Sequence, residues 1–279
     1  MHWRIGSGIL TLEQPRFLGI LNITPDSFSD GGRHLAPPAA EERARRLLAE
    51  GAEILDLGAE STRPGADPVT PEAEWDRLEP VLDRFRMHHE RVPLSLDTRH
   101  ASVAEKGLAR GAAILNDISG FSDPAMLRLA QESTCGLIAM RSRMAGGTLL
   151  MPPYDGEGLS SPLQAIEELR EVKARLLGAG IAADRILLDP GFGFGTVYSE
   201  DLALWQALPR LPAALEWPVE RFCLGISRKR FLAQRAGDPA IPPLQRDALT
   251  RRAHEEAMAL GYRVFRTHAV NGSMERTDS

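Results

Sequence analysis

The stretch "AAEERARRLLAEGAEILDLGAESTR", residues 39–63, contains the pattern that decides the fold. Its first twelve residues have the spacing of an amphipathic helix, and Gly51 follows them, as glycine often does where a helix closes in the left-handed conformation. A short apolar run at 53–57 comes next, and polar residues from Glu60 onward end it. The stretch therefore predicts a helix, a buried strand and a polar loop in direct succession.

The same succession recurs along the chain, where eight apolar runs alternate with stretches of helical spacing. The runs span residues 17–21, 53–57, 92–96, 112–115, 136–140, 185–188, 222–226 and 263–267. They are continuous rather than alternating, which indicates strands buried on both faces and hence a parallel sheet. Eight strand–helix repeats in 279 residues predict an α/β protein with a (β/α)8 TIM barrel. A doubly wound open sheet is the alternative, because periodicity does not show closure.

Length, charge and cysteine content limit the class of protein further. We predict a single domain over residues 1–279, with its core at about 16–270 and a polar tail after it. A net charge of -5 gives no reason to expect nucleic acid as a partner, and no apolar run approaches the roughly 20 residues that cross a bilayer. The N-terminus lacks the apolar core of a signal peptide. Cys135 and Cys223 have no metal-like spacing, so we expect two buried free thiols in a reducing cytoplasm.

Polar or ionisable residues follow all eight apolar runs. One such residue could be only a helix N-cap, as Asp97 could be, but eight of eight predict a pocket, because a TIM barrel places its chemistry at the carboxyl ends of its strands. The residues are Asn22, Glu60 to Arg63, Asp97, Asn116 with Asp117, Arg141, Asp189, Ser227 to Lys229, and Arg266 with His268.

Two kinds of chemistry can be separated within this set. A first group has short side chains and consists of Asp97, Asn116 and Asp189. Carboxylates and amides of this size suit a flat, nitrogen-rich heterocycle with several N–H donors. A second group comes from runs that are neighbours in a closed barrel and consists of Asn22, Arg63, Arg266 and His268. It predicts an anion subsite where phosphate and one or two protein oxygens hold Mg²⁺, so the ligand is a heterocyclic phosphate ester.

Seven segments of the chain carry a family resemblance. They read "LGILNITPDSFSDGG" (18–32), "GAEILDLGAESTRPGA" (51–66), "PLSLDT" (93–98), "AAILNDISGF" (112–121), "LLDPGFGFG" (187–195), "GISRKRF" (225–231) and "FRTHAV" (265–270). In this order they resemble the signature segments of the dihydropteroate synthase family, over residue 17 to about 270. The resemblance implies a TIM-barrel transferase of folate synthesis that forms a homodimer and is inhibited by sulfonamides.

The resemblance also implies a reaction and its residues. The family joins 6-hydroxymethyl-7,8-dihydropterin diphosphate to p-aminobenzoate and releases diphosphate. Its pterin pocket would be Asp97, Asn116, Ile118, Asp189, Phe194, Gly225 and Lys229. Its diphosphate and Mg²⁺ site would be Asn22, as the metal ligand, with Arg63, Arg266 and His268. Thr62, Pro64 and Ser227 would border the p-aminobenzoate slot, and the loops 23–34 and 61–68 would close over the reacting carbon, with 24–32 as a flap hinged at its glycine pair.

The implied mechanism is ionisation followed by capture. Diphosphate leaves once Mg²⁺, the two arginines and the histidine neutralise its developing charge, and Asp97 stabilises the cation left on the methylene carbon. The catalytic set is then Asp97, Lys229, Arg63, Arg266 and His268. The amine of p-aminobenzoate needs no strong base, so positioning supplies the rest.

Two departures from the family pattern keep other functions open. Thr196 stands where the family's segment continues with lysine, and Arg141 is expected where the family has a methionine that packs on the pterin. A pterin-binding paralogue without synthase activity is therefore one alternative. A pterin-dependent methyltransferase domain is another, although it would have no use for diphosphate-binding arginines.

Overall fold

The computed structural model describes residues 1–23, 37–60, 68–88, 91–145, 148–150 and 162–270. Eight parallel strands form one sheet, and a bridge between Leu188 and Phe222 joins its two edges into a barrel. The barrel strands are β3 (Arg16–Asn22), β4 (Ile54–Gly58), β5 (Leu94–Asp97), β6 (Ile114–Asp117), β7 (Gly136–Met140), β10 (Ile186–Asp189), β11 (Cys223–Leu224) and β12 (Val264–Thr267). The TIM barrel predicted from the alternating pattern is confirmed, and the open sheet is excluded.

Helices cover the outside of the barrel. They are α1 (Pro37–Ala49), α2 (Pro71–His88), α3 (Ala101–Ala109), α4 (Pro124–Glu132), α5 (Pro162–Gly178), α6 (Tyr198–Ala207), α7 (Leu211–Leu215), α8 (Arg230–Arg235) and α9 (Asp247–Ala259). Their buried faces pack against outward side chains of the strands in one continuous apolar cluster. No helix in the described ranges is long and apolar enough to cross a membrane. Both cysteines are buried and free, as predicted.

Two parts of the fold differ from the prediction. The run at 222–226 forms ladder pairs only at Cys223 and Leu224, because the chain then leaves the sheet toward the loop of Ser227 and Lys229. Two antiparallel hairpins were not predicted, namely β1 (His2–Ile5) with β2 (Gly8–Thr11) and β8 (Met144–Ala145) with β9 (Thr148–Leu149). The short helices α7 and α8 were also missed.

The first hairpin closes the amino-terminal end of the barrel. Trp3 is fully buried, and its indole Nε1 donates to the Arg185 carbonyl oxygen at 3.0 Å. Together with Ile5 and Leu12 it packs on a ring of inward side chains from seven strands, which are Leu18, Ile54, Ile114, Ile138, Leu187, Cys223 and Val264. This apolar plug excludes water from the amino-terminal end of the barrel. Polar inward side chains can therefore meet a ligand only at the carboxyl-terminal end.

Truncation of Trp3 tests whether the first hairpin closes this end of the barrel. We expect Trp3→Ala to lower the free energy of unfolding by about 3–5 kcal/mol, since it removes a large buried ring and leaves a cavity. Ile9, 66% exposed on the same hairpin, supplies the control. Urea unfolding should show a change within about 0.5 kcal/mol for Ile9→Ala. Equal effects of the two variants would mean that the hairpin does not close the core.

Candidate active site

Several of the predicted site residues lie in the layer next to the plug, toward the carboxyl ends of the strands. Side chains along a strand alternate between its two faces. The residue two positions after each of the seven inward strand residues in the plug therefore also points inward. These residues are Ile20, Asp56, Asn116, Met140, Asp189, Gly225 and Arg266. Four of the seven are polar or charged, so the interior changes from apolar to polar within one step along the strands.

Arg266 links two carboxylates at the centre of this layer. Its Nε donates to Asp56 Oδ2 at 2.6 Å, and its Nη2 donates to Asp97 Oδ2 at 2.5 Å. Asn116 Nδ2 donates to both carboxylate oxygens of Asp56, at 3.4 Å from Oδ1 and 3.3 Å from Oδ2. Sequence reasoning put Arg266 in a separate anion subsite, whereas its guanidinium here lies with the ring-side carboxylates. Sequence reasoning missed Asp56. Its signal was a carboxylate inside an apolar run, two residues after Ile54 and therefore on the same face of the strand.

The electrostatics of the cluster follow from burial. Burial raises the pKa of Asp97 to about 7, opposed by Arg266 and assisted by Asp56. Burial likewise raises the pKa of Asp189 to about 6, against hydrogen bonding from the Gly191 N–H and the charge of Lys229. For Arg266, burial lowers the pKa, but the attraction of Asp56 and Asp97 outweighs it and the net shift is upward. The guanidinium is therefore permanently charged, while the Asp97 carboxyl beside it titrates near neutrality.

An apolar wall adjoins the carboxylates. Ile118, Met140 and Phe194 form a separate buried cluster at this end of the barrel. The Lys229 ammonium lies 4.0 Å from the centroid of the Phe194 ring. Gly225 provides space beside Asp189, since a Cβ there would lie 3.1 Å from Asp189 Oδ2. Aliphatic and aromatic walls next to carboxylates and an amide suit a flat heterocycle with polar edges.

Ser227 and His268 form a second group at the rim. Ser227 Oγ lies 3.1 Å from both the backbone N and the ring Nδ1 of His268, and Arg43 Nη2 of α1 donates to the His268 carbonyl. Burial, followed by the charges of Arg228, Arg266 and Lys229, lowers the pKa of His268 well below its usual value. His268 is therefore a neutral hydrogen-bonding group, and the positive potential here comes from arginine and lysine. Arg43 carries no motif and was not found from the sequence.

Several predicted site residues lie elsewhere. Asp117 binds its own turn, accepting from the Ser119 backbone N at 2.7 Å and the Phe121 N at 2.8 Å. Arg228 makes a bidentate pair with Asp247 of α9, at 2.7 and 2.8 Å. Asn22 ends β3 and is partly exposed. Thr62, Arg63 and Pro64, the flap at 24–32 and the tail after Val270 lie outside the described residues.

The expected departure at Arg141 is corrected by the structure. Met140, one residue earlier, is the side chain that packs with Ile118 and Phe194. Arg141 turns away, with its Nε on Glu168 Oε2 at 2.6 Å and its Nη1 on the Pro190 carbonyl at 3.2 Å. Strand alternation explains the error, because neighbouring residues point to opposite faces. No cation therefore replaces the methionine beside the pocket.

The chain matches known proteins over most of its length. Residues 18–268 match the family described as pterin binding enzyme. The fold is accordingly that of a pterin-binding enzyme. The dihydropteroate synthase of Neisseria meningitidis serogroup C is 36% identical over 276 residues, which cover 98% of this chain and 94% of that protein.

Solved structures agree with this match. The dihydropteroate synthase of Xanthomonas albilineans with 4-aminobenzoic acid is 37% identical, with a TM-score of 0.84 over 98% of this chain and 95% of that one. The Burkholderia cenocepacia enzyme complexed with 7,8-dihydropteroate is 36% identical, with a TM-score of 0.80 over 98% and 92%. The chain belongs to the dihydropteroate synthase family and is an enzyme of the transferase class.

Proposed function

We propose that this chain condenses 6-hydroxymethyl-7,8-dihydropterin diphosphate with p-aminobenzoate, giving 7,8-dihydropteroate and diphosphate. The observation that carries the proposal is the charge cluster above the barrel plug, in which buried Asp56, Asn116 and Asp189 lie with the partly buried Asp97 and Arg266. Relatives solved with 4-aminobenzoic acid and with 7,8-dihydropteroate support the choice of substrates.

The pterin ring would be held on both its edges and its faces. Carboxylate and amide oxygens of Asp97, Asn116 and Asp189 would accept hydrogen bonds from the ring N–H groups. Met140 and Phe194 would pack against the faces of the ring, which excludes water from the hydrogen-bonded edges. Short polar side chains on rigid strands fix the ring, so the reacting methylene carbon has a defined position.

The charges of the cluster favour ionisation of the substrate. When Asp97 is in its carboxylate form, Asp56 and Asp97 together exceed the single guanidinium of Arg266 by one negative charge. An excess negative charge in a water-excluded site stabilises the cation that develops as the carbon–oxygen bond to diphosphate breaks. Lys229, neutral His268 and Arg63 would bind the departing anion.

Capture of the cation then requires positioning only. The p-aminobenzoate amine carries a lone pair, attacks the methylene carbon and loses its proton to solvent or to the released anion. Ser227, held against His268, would border the p-aminobenzoate slot together with Thr62 and Pro64. A covalent enzyme intermediate is not needed.

Magnesium is proposed at the diphosphate end of the site. Asn22 offers an amide oxygen at the carboxyl end of β3, which fits Mg²⁺ because this ion usually takes one or two protein oxygens together with substrate phosphates and water. The described residues contain no group of three or more His, Cys, Asp or Glu side chains that could hold a metal ion by themselves. When bound, the ion would neutralise charge on the leaving diphosphate.

A turnover assay tests the proposed function. Purified protein given the pterin diphosphate, p-aminobenzoate and Mg²⁺ should release diphosphate and form dihydropteroate in equal amounts. A sulfonamide should raise the KM for p-aminobenzoate and leave kcat unchanged, because it would occupy the same slot. Pterin binding without any product would instead favour the non-synthase paralogue.

Two further expectations accompany this function. We propose that the protein acts as a homodimer, which the resemblance to the family supports. We also propose a cytoplasmic location, supported by two buried free thiols and by small-molecule substrates rather than nucleic acid or membrane.

A further inference from the structure

The loop after β10 carries part of the pocket. Gly191, Gly193 and Gly195 all have positive φ, at 73°, 71° and 72°, and Phe194 projects between the last two. Lys229 lies across this loop, because a Cβ on Gly193 would be 3.1 Å from Lys229 Cδ and 3.3 Å from its Nζ. The position of the lysine ammonium therefore depends on where this loop is held.

Asp201 of α6 holds the loop by hydrogen bonds. Its side chain is almost fully buried, and its Oδ1 accepts from the Gly193 N–H at 2.9 Å and from Thr196 Oγ1 at 2.7 Å. Its Oδ2 is also buried and has no hydrogen-bond partner in the described parts of the chain. A buried carboxylate with one unpartnered oxygen destabilises the fold unless a nearby cation offsets its charge. Hydrogen bonding to the loop alone therefore does not explain Asp201.

Lys229 is a cation whose protonated form the charge of Asp201 stabilises. The charged groups that act on it are Asp201 from α6, Arg266 from β12, Asp189 from β10 and Asp97 from β5. Burial lowers the pKa of Lys229 to about 8, and Asp201 is the strongest of the charges that oppose this shift. Asp97 is already paired with Arg266, whereas Asp189 and Asp201 make no ion pair with the described residues. Lys229 and Arg141 are the cations that act on Asp201, and Arg141 is already paired with Glu168.

We propose that Asp201 is a positioning residue for the transfer reaction: it fixes the Gly193 backbone against which Lys229 lies, and its charge keeps the Lys229 ammonium protonated in the pocket. Thr196 completes the arrangement by donating to the same carboxylate oxygen. The proposal rests on the proposed role of Lys229 in binding substrate. Turnover by the unmodified protein at neutral pH tests the proposed function separately from the position of the basic limb.

The decisive variant is Asp201→Asn, which keeps an oxygen for Gly193 and Thr196 but removes the charge. We expect the basic limb of the kcat/KM pH profile to move by about one unit toward acid, as loss of an opposite charge nearby predicts. The ratio of variant to wild-type kcat/KM should be near one at about pH 6.5 and about tenfold lower at about pH 8.5. Titration of pterin diphosphate affects both proteins alike and cancels in this ratio.

Two changes at Thr196 complete the test. Thr196→Val removes the hydroxyl but keeps the charge, so the basic limb should stay in place even if stability falls. Thr196→Lys brings an ammonium to Asp201 and should move the limb toward acid, which gives a second test if Asp201→Asn does not fold. The pH dependence of pterin diphosphate binding without p-aminobenzoate should shift in parallel. A limb that stays fixed in both Asp201→Asn and Thr196→Lys would overturn the proposal.

Discussion

Asp97→Asn is expected to lower kcat/KM by about 10²–10³-fold, the cost of losing one preorganised electrostatic group in a water-excluded site. The variant keeps the size of the side chain but removes the negative charge that faces the developing cation. It also weakens the contact with Arg266 Nη2, which lies 2.5 Å from Asp97 Oδ2, because a neutral amide oxygen replaces a carboxylate oxygen. Steady-state kinetics with both substrates would measure the loss.

The pH profile provides a second readout of the same group. Because burial raises the pKa of Asp97 to about 7, the wild-type carboxyl becomes protonated as the pH falls through neutrality. Activity should therefore fall on the acid side of about pH 7, and this limb should be absent from Asp97→Asn. Asp123→Asn is the matched control, since Asp123 only caps α4 through the Ala125 N–H. Full activity in Asp97→Asn would contradict the proposed mechanism.

Arg266→Met is expected to destabilise the fold as well as the site. Removing this cation leaves Asp56 and Asp97 partly or fully buried and without the guanidinium that pairs with both of them. Breaking a buried pair by removing one partner costs about 3–5 kcal/mol. For a chain of this size, we expect Tm to fall by about 10 °C, which thermal unfolding would show.

The sign of the pH dependence separates this loss from simple loss of packing. Protonation neutralises the unpaired Asp97 carboxyl as the pH falls below about 7, so the destabilisation should be larger at about pH 8 than at about pH 5.5. Arg266→Lys should recover part of the stability because it restores a charge, although not the forked contact. Arg4→Met removes a half-exposed pair with Asp184 and should cost less than about 1 kcal/mol. A pH-independent loss in Arg266→Met would argue against the charge cluster.

The site was predictable to the extent that strand ends are visible in the sequence. Asp97, Asn116, Asp189, Lys229 and Arg266 all follow or end apolar runs, and the structure brings them to one end of the barrel. Asp56 was not found in this way because it lies inside a strand, where the alternation of faces decides whether it points into the barrel. A polar residue inside an apolar run, in step with buried neighbours, is the signal that would have identified it.

The same alternation explains the error at residues 140 and 141. Both residues lie at one strand end, and their order along the chain does not say which of them faces the pocket. The ladder pairs Met140 with Asp189, and the apolar cluster with Ile118 and Phe194 places its side chain on the pocket side. Arg141 continues past the strand and is held by Glu168 of α5.

Local patterns were enough for the alternation of strands and helices, although not for barrel closure, since helical spacing, closing glycines and continuous apolar runs are properties of short stretches of chain. They were also enough to name the chemistry, because the signature segments are local as well. The three-dimensional structure was needed for the pairing of charges: Arg266 and Asp56 are 210 residues apart in the chain and 2.6 Å apart in space. Such contacts depend on barrel closure and on the inward face of each strand, so no stretch of sequence contains them.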